Sequence, residues 1–241
     1  MLNKTKGIVL GSVNYNDKYN LVQMFTSSFG KVTYLVAKTK GKSGKVPKSL
    51  FMPMSVIEME VSHQPSRDIQ RIKEAHSLGA RYSIFSDMAK SSVVFFVSEF
   101  LNKALRDIND SAFIFSFIEQ SVNILEMTER SVANYHLVLM LKLSHFLGFY
   151  PNLEDYSPGN YFDMINGEFV NRQPLHRHYL DRMESQALAR LSRITYENMH
   201  YFNFSRNERV NIVSRMLEYY RLHLYDFPEM KSLDVLHELF N

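Results

Sequence analysis

The sequence predicts an α+β protein: a five-stranded β-barrel over residues 1–80, followed by an α-helical bundle over residues 81–241 with a small irregular, β-hairpin insert at about 151–174. Three observations carry this reading. Short runs rich in β-branched and aromatic residues, punctuated by Gly and Pro, fill the first 75 or so residues. From about Asp87 the apolar period changes to steps of three and four. Charge divides at the same place: residues 1–50 hold nine lysines and one acid, Asp17, for a net +8, while the whole chain is only +3 and the remainder therefore −5. A basic end on a mildly acidic body suggests a polyanion-binding module joined to something else, against the plainer reading of a solubilising lysine surface.

The strand candidates run in order. Ile8–Tyr15 alternates in part, Leu21–Phe25 is apolar, and Lys31–Ala37 follows the turn residue Gly30. Met54–Val61 places apolar side chains at Met54 and Val56, then at Ile57, Met59 and Val61, a change of parity that predicts a bulge near Val56–Ile57. Asp68–Ala75 supplies a last strand, with Ile69 and Ile72 inward around a further irregularity. Five short strands in this space suit the OB-fold, a frequent binder of single-stranded nucleic acid, although the pattern alone leaves an SH3-like barrel open.

Between the third and fourth candidates lies Lys38-Thr39-Lys40-Gly41-Lys42-Ser43-Gly44-Lys45-Val46-Pro47-Lys48, five lysines in eleven residues with two glycines and a proline. Such a segment does not pack into a core, and each lysine can approach a phosphate and release a condensed counterion. Lys6, Lys31, Lys38, Lys40, Lys42, Lys45 and Lys48 are the candidate phosphate contacts. Tyr34 and Phe51, on either side of the segment, offer rings for base stacking or, alternatively, for the barrel interior. Gly41-Lys42-Ser43 imitates the end of a phosphate-binding P-loop, but Val36 stands where the first glycine belongs and Pro47 precludes the helix that must follow.

The helical part begins with Val93, Val97, Phe100, Leu101, Ala104, Leu105 and Ile108 on one face. Asp110 or Ser111 caps a second helix with Phe113, Phe117, Ile118, Val122 and Leu125 inward. A third, from Ser131, is apolar nearly all round and belongs in the middle of the bundle, with Gly148 as its C-cap and Pro151 beyond. Residues 151–174 lose the helical period, and Tyr161–Met164 and Glu168–Val170 flank Asn166-Gly167 as a hairpin. Helices resume near His178. Ser205-Arg206-Asn207-Glu208 forms a capping box before Val210, Val213, Leu217, Tyr220 and Leu224, and Ser232 caps a last short helix.

Several functions are excluded or weakly supported. With no cysteine, the chain has no disulfide, thiolate nucleophile, Cys-ligated zinc or iron–sulfur cluster. The polar start, Leu2 to Lys6, is no signal peptide. The apolar runs Val93–Val97 and Leu137–Leu141 fall far short of the ~20 residues that span a bilayer, so a cytoplasmic protein with no membrane partner is the expectation. Glu58 and Glu60 share a strand face and read as solvated; His176, His178 and Asp181 make a weak metal cluster; His145 reads as a core histidine; no Gly-x-Ser-x-Gly occurs. Neither an enzyme nor a cofactor is expected.

The residues also carry a resemblance. Gly7-Ile8-Val9-Leu10, Tyr15 to Val22, Phe25-Thr26, Phe29-Gly30-Lys31, Ala37 to Lys42 and Leu50-Phe51-Met52-Pro53 resemble the opening of the bacterial RecO family of DNA repair proteins. Leu147 to Leu153 and Lys231 to Leu236 are similar to later stretches of that family, in the same order. The resemblance implies an N-terminal OB-fold, a helical domain and, in many members, a zinc-ribbon-like insert. It implies a recombination mediator that binds single- and double-stranded DNA, anneals complementary strands and helps load RecA on DNA coated by single-strand binding protein. It further implies RecR as a partner, and the acidic tail of single-strand binding protein as a ligand of the helical domain, for which Arg130, Lys142 and His145 are the candidate contacts. The implied location is the bacterial cytoplasm, at the nucleoid during repair. The zinc-bearing members carry two Cys-x-x-Cys pairs; here the first pair's places fall at about Tyr156 and Gly159, so the insert is expected to be zinc-free and held by Tyr156, Tyr161, Phe162, Phe169 and Val170. Charge and barrel alone would suit an RNA-binding OB-fold protein equally well.

Overall fold

Alternating apolar side chains give each N-terminal strand one face to bury, and a sheet of five such strands buries it best by closing on itself. In a computed structural model, which describes residues 2–38, 48–79, 81–106, 108 and 111–232, the strands are β1 (Leu2–Asn14), β2 (Tyr19–Thr26), β3 (Gly30–Ala37), β4 (Val56–Ser62) and β5 (Ile69–Ser77). They close in the order β1-β2-β3-β5-β4, with β3 and β5 parallel and the other pairs antiparallel. This is the OB-fold order, which removes the SH3-like alternative. A single 3₁₀ turn, Lys48–Phe51, precedes β4. Val9, Val22, Met24, Val32, Tyr34, Val36, Phe51, Ile57, Met59 and Val61 fill the interior.

Two strand details differ from the pattern. Val56 and Ile57 are both buried, yet β4 pairs with β1 without interruption from Ile8↔Val56 to Leu2↔Ser62. The parity change therefore records burial on both faces of β4, not a bulge. The irregularity lies opposite Glu60 and Val61, where β5 skips Lys73. In β5, Ile72 packs against the core as expected and Ala75 is buried in it, but Gln70 takes the inward place expected of Ile69, which is exposed. The Gln70 amide earns that place by closing the preceding loop: its Nε2 donates to the Gln64 carbonyl at 2.8 Å and its Oε1 accepts from the Gln64 N–H at 2.9 Å.

The β2–β3 turn depends on Gly30, whose φ is +62°. Buried Thr26 holds it, donating from Oγ1 to the Gly30 carbonyl at 2.9 Å and accepting from the Phe29 N–H at 3.0 Å. A Cβ on Gly30 would meet the Ile108 carbonyl oxygen at 3.0 Å. Gly30→Ala therefore combines left-handed strain with a clash against backbone, and should lower unfolding free energy by about 2 kcal/mol in urea titration.

Three helices follow: α1 (Tyr82–Ser86), α2 (Met88–Ala104) and α3 (Ala112–Met127). By contacts the chain divides into residues 1–127 and 128–241, so these helices group with the barrel. Their ties to it are specific. Asn102 Nδ2 donates to Gln23 Oε1 at 2.9 Å, and Phe25 stacks on Phe115 at 6.4 Å. Ser111 stands before α3, but its hydroxyl is committed to the barrel, donating to the Ser27 carbonyl at 3.2 Å and accepting from the Gly30 N–H at 3.3 Å. Asp110 lies outside the described residues. The buried stripe of α3 is Ile114, Phe115, Ile118, Ser121, Val122 and Leu125; Phe113 is exposed rather than inward, because the helix presents the neighbouring positions 114 and 115 to its unit.

In the second unit, α4 (Tyr135–Phe146) is buried over most of its length. It starts later than Ser131, with Asn134 at its N-cap position; the Asn134 side chain caps no helix N–H, and its Nδ2 donates to the carbonyls of Met199 and Phe202 at 2.9 and 2.8 Å. The insert forms a three-stranded sheet, β7-β6-β8, from β6 (Tyr161–Asp163), β7 (Glu168–Val170) and β8 (Tyr179–Leu180). Its hairpin turn has four residues, Met164 to Gly167, rather than two. The Asp163 carboxylate organises it, accepting from the N–H groups of Ile165 and Asn166 at 2.9 and 3.1 Å. Burial would raise this carboxyl's pKa, but those bonds and the contacts with the Asn166 amide and His176 hold it below the usual value. Helices α5 (Arg182–Leu191) and α6 (Arg206–His223) both begin with capping boxes, Asp181/Glu184 and Ser205/Glu208. The short helix expected after Ser232 lies outside the described residues.

Candidate nucleic-acid interface

The lysine segment begins where β3 ends. Lys40, Lys42 and Lys45 lie outside the described residues, and Lys48 opens the 3₁₀ turn that leads back to the barrel. At the near end, the Lys38 backbone N–H donates to the Lys18 carbonyl at 2.8 Å, and its ammonium group reaches Asn14 Oδ1 and the Asn16 carbonyl. Lys38 is thus tied to the tip of the β1–β2 hairpin. A local turn shapes that tip: Asn16 Oδ1 accepts from the N–H groups of Lys18 and Tyr19, both at 2.9 Å, in an Asx turn.

The hairpin tip carries two aromatic residues outside the sequence-derived candidates. Tyr15 and Tyr19 are exposed, 56% and 36%, on either side of the turn that holds Lys18. Asn14 pairs with Asn20, so Tyr15 and Tyr19 oppose one another across the turn and share a face, a register that composition does not reveal. Tyr34, the ring chosen from sequence, is fully buried in that interior, so it is corrected from a stacking residue to a core residue. β3 alternates strictly, and Val32, Tyr34 and Val36 share its inward parity. Burial pushes the Tyr34 phenol far up, and its hydroxyl has no hydrogen-bond partner among the described residues. Tyr34→Phe should therefore leave nucleic-acid affinity unchanged and raise stability by about 1 kcal/mol, read by binding isotherms and urea unfolding of the same preparation.

The other two candidate lysines are structurally engaged. Lys6 pairs with Glu119 of α3 at 3.1 Å, and Lys31 donates to the Asn102 carbonyl near the end of α2. The structure brings Lys38 together with Lys18, Tyr15 and Tyr19; Lys6 and Lys31 serve to hold helices on the barrel.

In the second unit, Arg130 precedes α4 and its guanidinium contacts His200 Nε2 at 2.6 Å. Lys142 and His145 lie in the last turns of α4. Lys142 sits over the Tyr196 ring at 5.1 Å, and His145 is exposed beside Tyr150, not in a core.

Metal-type residues are otherwise employed. Asp181 caps α5, His176 pairs with Asp163 at 3.2 Å, and His178 pairs with Glu218 at 3.0 Å. Among the described residues no three His, Asp or Glu converge as a metal-binding group. The insert does not fit zinc. Phe162, Met164, Phe169 and Leu180 form its core, and Tyr156, at one of the ligand places, packs edge-on against Phe169 at 5.1 Å. Tyr161 instead meets Tyr179 at 5.8 Å, with Arg182 over its ring. Among the described residues no helix is long and apolar enough to cross a membrane.

A closed five-stranded barrel in this strand order, followed by helices, defines an OB-fold protein with a helical second part. Comparison with known proteins gives the family. The model described as Recombination protein O N terminal matches residues 1–81, and that described as Recombination protein O C terminal matches residues 86–233. The chain belongs to the recombination protein O family. It is 47% identical to the DNA repair protein RecO of Azobacteroides pseudotrichonymphae over 241 residues, covering 100% of both chains. It is 44% identical to that of Bacteroides fragilis and 30% identical to that of Flavobacterium psychrophilum, over 100% and 99% of both chains respectively.

Proposed function

We propose that this protein is a non-enzymatic recombination mediator in DNA repair. It binds single- and double-stranded DNA through the barrel, anneals complementary strands, and assists RecA loading on DNA coated by single-strand binding protein. The observation that carries this reading is the convergence, at one end of the barrel, of Lys18 and Lys38 with exposed Tyr15 and Tyr19, at the point where a segment with three further lysines departs. Lysines supply sequence-independent phosphate contacts, and tyrosines stack on any base. RecR and the tail of single-strand binding protein are the proposed partners, the tail meeting Arg130, Lys142 and His145 through its carboxylates. The annealing step is expected to need no nucleotide.

Binding to single-stranded DNA and to RNA of the same sequence, at several salt concentrations, tests the reading. The mediator proposal expects tight DNA binding with log K falling linearly in log salt. A clear preference for RNA would favour an RNA-binding OB-fold protein instead.

A further inference from the structure

The barrel closes over only part of its length. β4 pairs with β1 from Leu2 to Ile8, and β5 pairs with β3 from Thr33 to Leu35. Beyond those limits β1, β2 and β3 continue as a three-stranded extension, with Ser12↔Val22, Asn14↔Asn20 and Asn20↔Val36 in register. Inward parity runs through Val9, Met24 and Val32, then Ser12, Val22 and Tyr34, then Asn14, Asn20 and Val36. The inward row thus changes from wholly apolar in the closed barrel to partly polar at its mouth.

That mouth is a pocket. Its lining includes Ser12, Asn14 and Asn20 of the extended strands, Phe51 and Met52 of the returning chain, and Phe95 of α2. Helix α2 reaches it because Asn102, held to Gln23 on the outer face of β2, lies two turns after Phe95 on the same helix face. Phe95 and Met52 are 48% and 41% exposed, an unusual state for two large apolar residues facing one concavity. Apolar walls with a few amide and hydroxyl groups are the composition of a small-ligand site. Ala37 and Ser49 of its lining are the chain neighbours of Lys38 and Lys48.

We propose that this mouth receives one unstacked base of a single DNA strand, its face against Phe95 and Met52 and its edge toward Asn14, Asn20 and Ser12, while the flanking phosphates meet Lys18 and Lys38. The inference rests on the DNA-binding reading and deepens it, adding a base site inside the barrel to the stacking surface on the hairpin tip. It explains why polar side chains occupy inward positions at this end of the barrel, where base edges would otherwise have no hydrogen-bond partner.

Fluorescence anisotropy with the full chain separates the two claims. One probe is an oligothymidylate, the other a strand of equal length built from abasic sugars. Phe95→Ser should weaken binding of the base-bearing strand about tenfold, the worth of one stacked base, and leave the abasic strand's affinity unchanged. Met52→Ser, at a second exposed position, should act in the same direction, and Asn20→Leu should do so while changing only the edge contact. An equal effect of Phe95→Ser on both strands, or none on either, overturns the base pocket. Failure of the unmodified protein to bind either strand overturns the DNA-binding reading itself.

Discussion

Replacing Lys40, Lys42 and Lys45 together by Glu is expected to weaken binding of single- and double-stranded DNA alike, by on the order of a hundredfold at moderate salt. The three lysines belong to the densest cationic stretch of the chain, between Lys38 and Lys48. Each phosphate neutralised by a lysine contributes about −0.7 to the slope of log K against log salt for a single strand. Loss of three such contacts should flatten the slope by about 2. Phosphates are common to every sequence and to both strand states, so the loss should not depend on base composition. Wild-type affinity and slope in the triple variant would remove the segment from the interface.

The second large effect is on acid stability. His136 lies in α4 with none of its surface exposed. Burial first, and the positive charge of Arg209 second, push its pKa down to about 3. The unfolded chain binds a proton at this residue below about 6.5, whereas the folded one does so only below about 3. The unfolded state therefore holds more protons throughout that window, and stability falls as pH falls through it. The cost approaches about 1.4 kcal/mol per pH unit, or nearly 3 kcal/mol near pH 4.5. His136→Gln, which cannot titrate, should lose that much less stability than the unmodified protein between about pH 7 and pH 4.5. Parallel urea midpoints for the two proteins across this range would refute the assignment; the difference between them removes the carboxylates, which titrate in both.

Much of this was legible in the sequence, and the exceptions share a physical character. The five strands were readable because β-branched and aromatic runs must bury one face, and the capping box at Ser205 because a hydroxyl and a carboxylate three residues apart satisfy helix-end N–H groups locally. Errors arose where a distant partner decides the outcome. The Asn134 side chain, at the N-cap position of α4, bonds carbonyls more than sixty residues away, and Ser111 spends its hydroxyl on the barrel. Gln70 takes an inward place from Ile69 because its amide closes a loop. The interface shows the same division. A lysine-rich stretch is visible in any sequence, but the choice between Tyr34 and the pair Tyr15 and Tyr19 needs strand parity relative to a closed barrel, and that register is fixed by pairing, not by composition.

The central claim is that this chain brings complementary strands together without consuming a nucleotide. Annealing of two complementary, end-labelled DNA strands, followed by energy transfer with neither nucleotide nor metal ion added, tests it most directly. The account predicts that the protein raises the rate of duplex formation well above the protein-free rate, and that the Lys40, Lys42 and Lys45 triple Glu variant does not. An unmodified protein that binds both strands yet leaves the annealing rate at its protein-free value would contradict it.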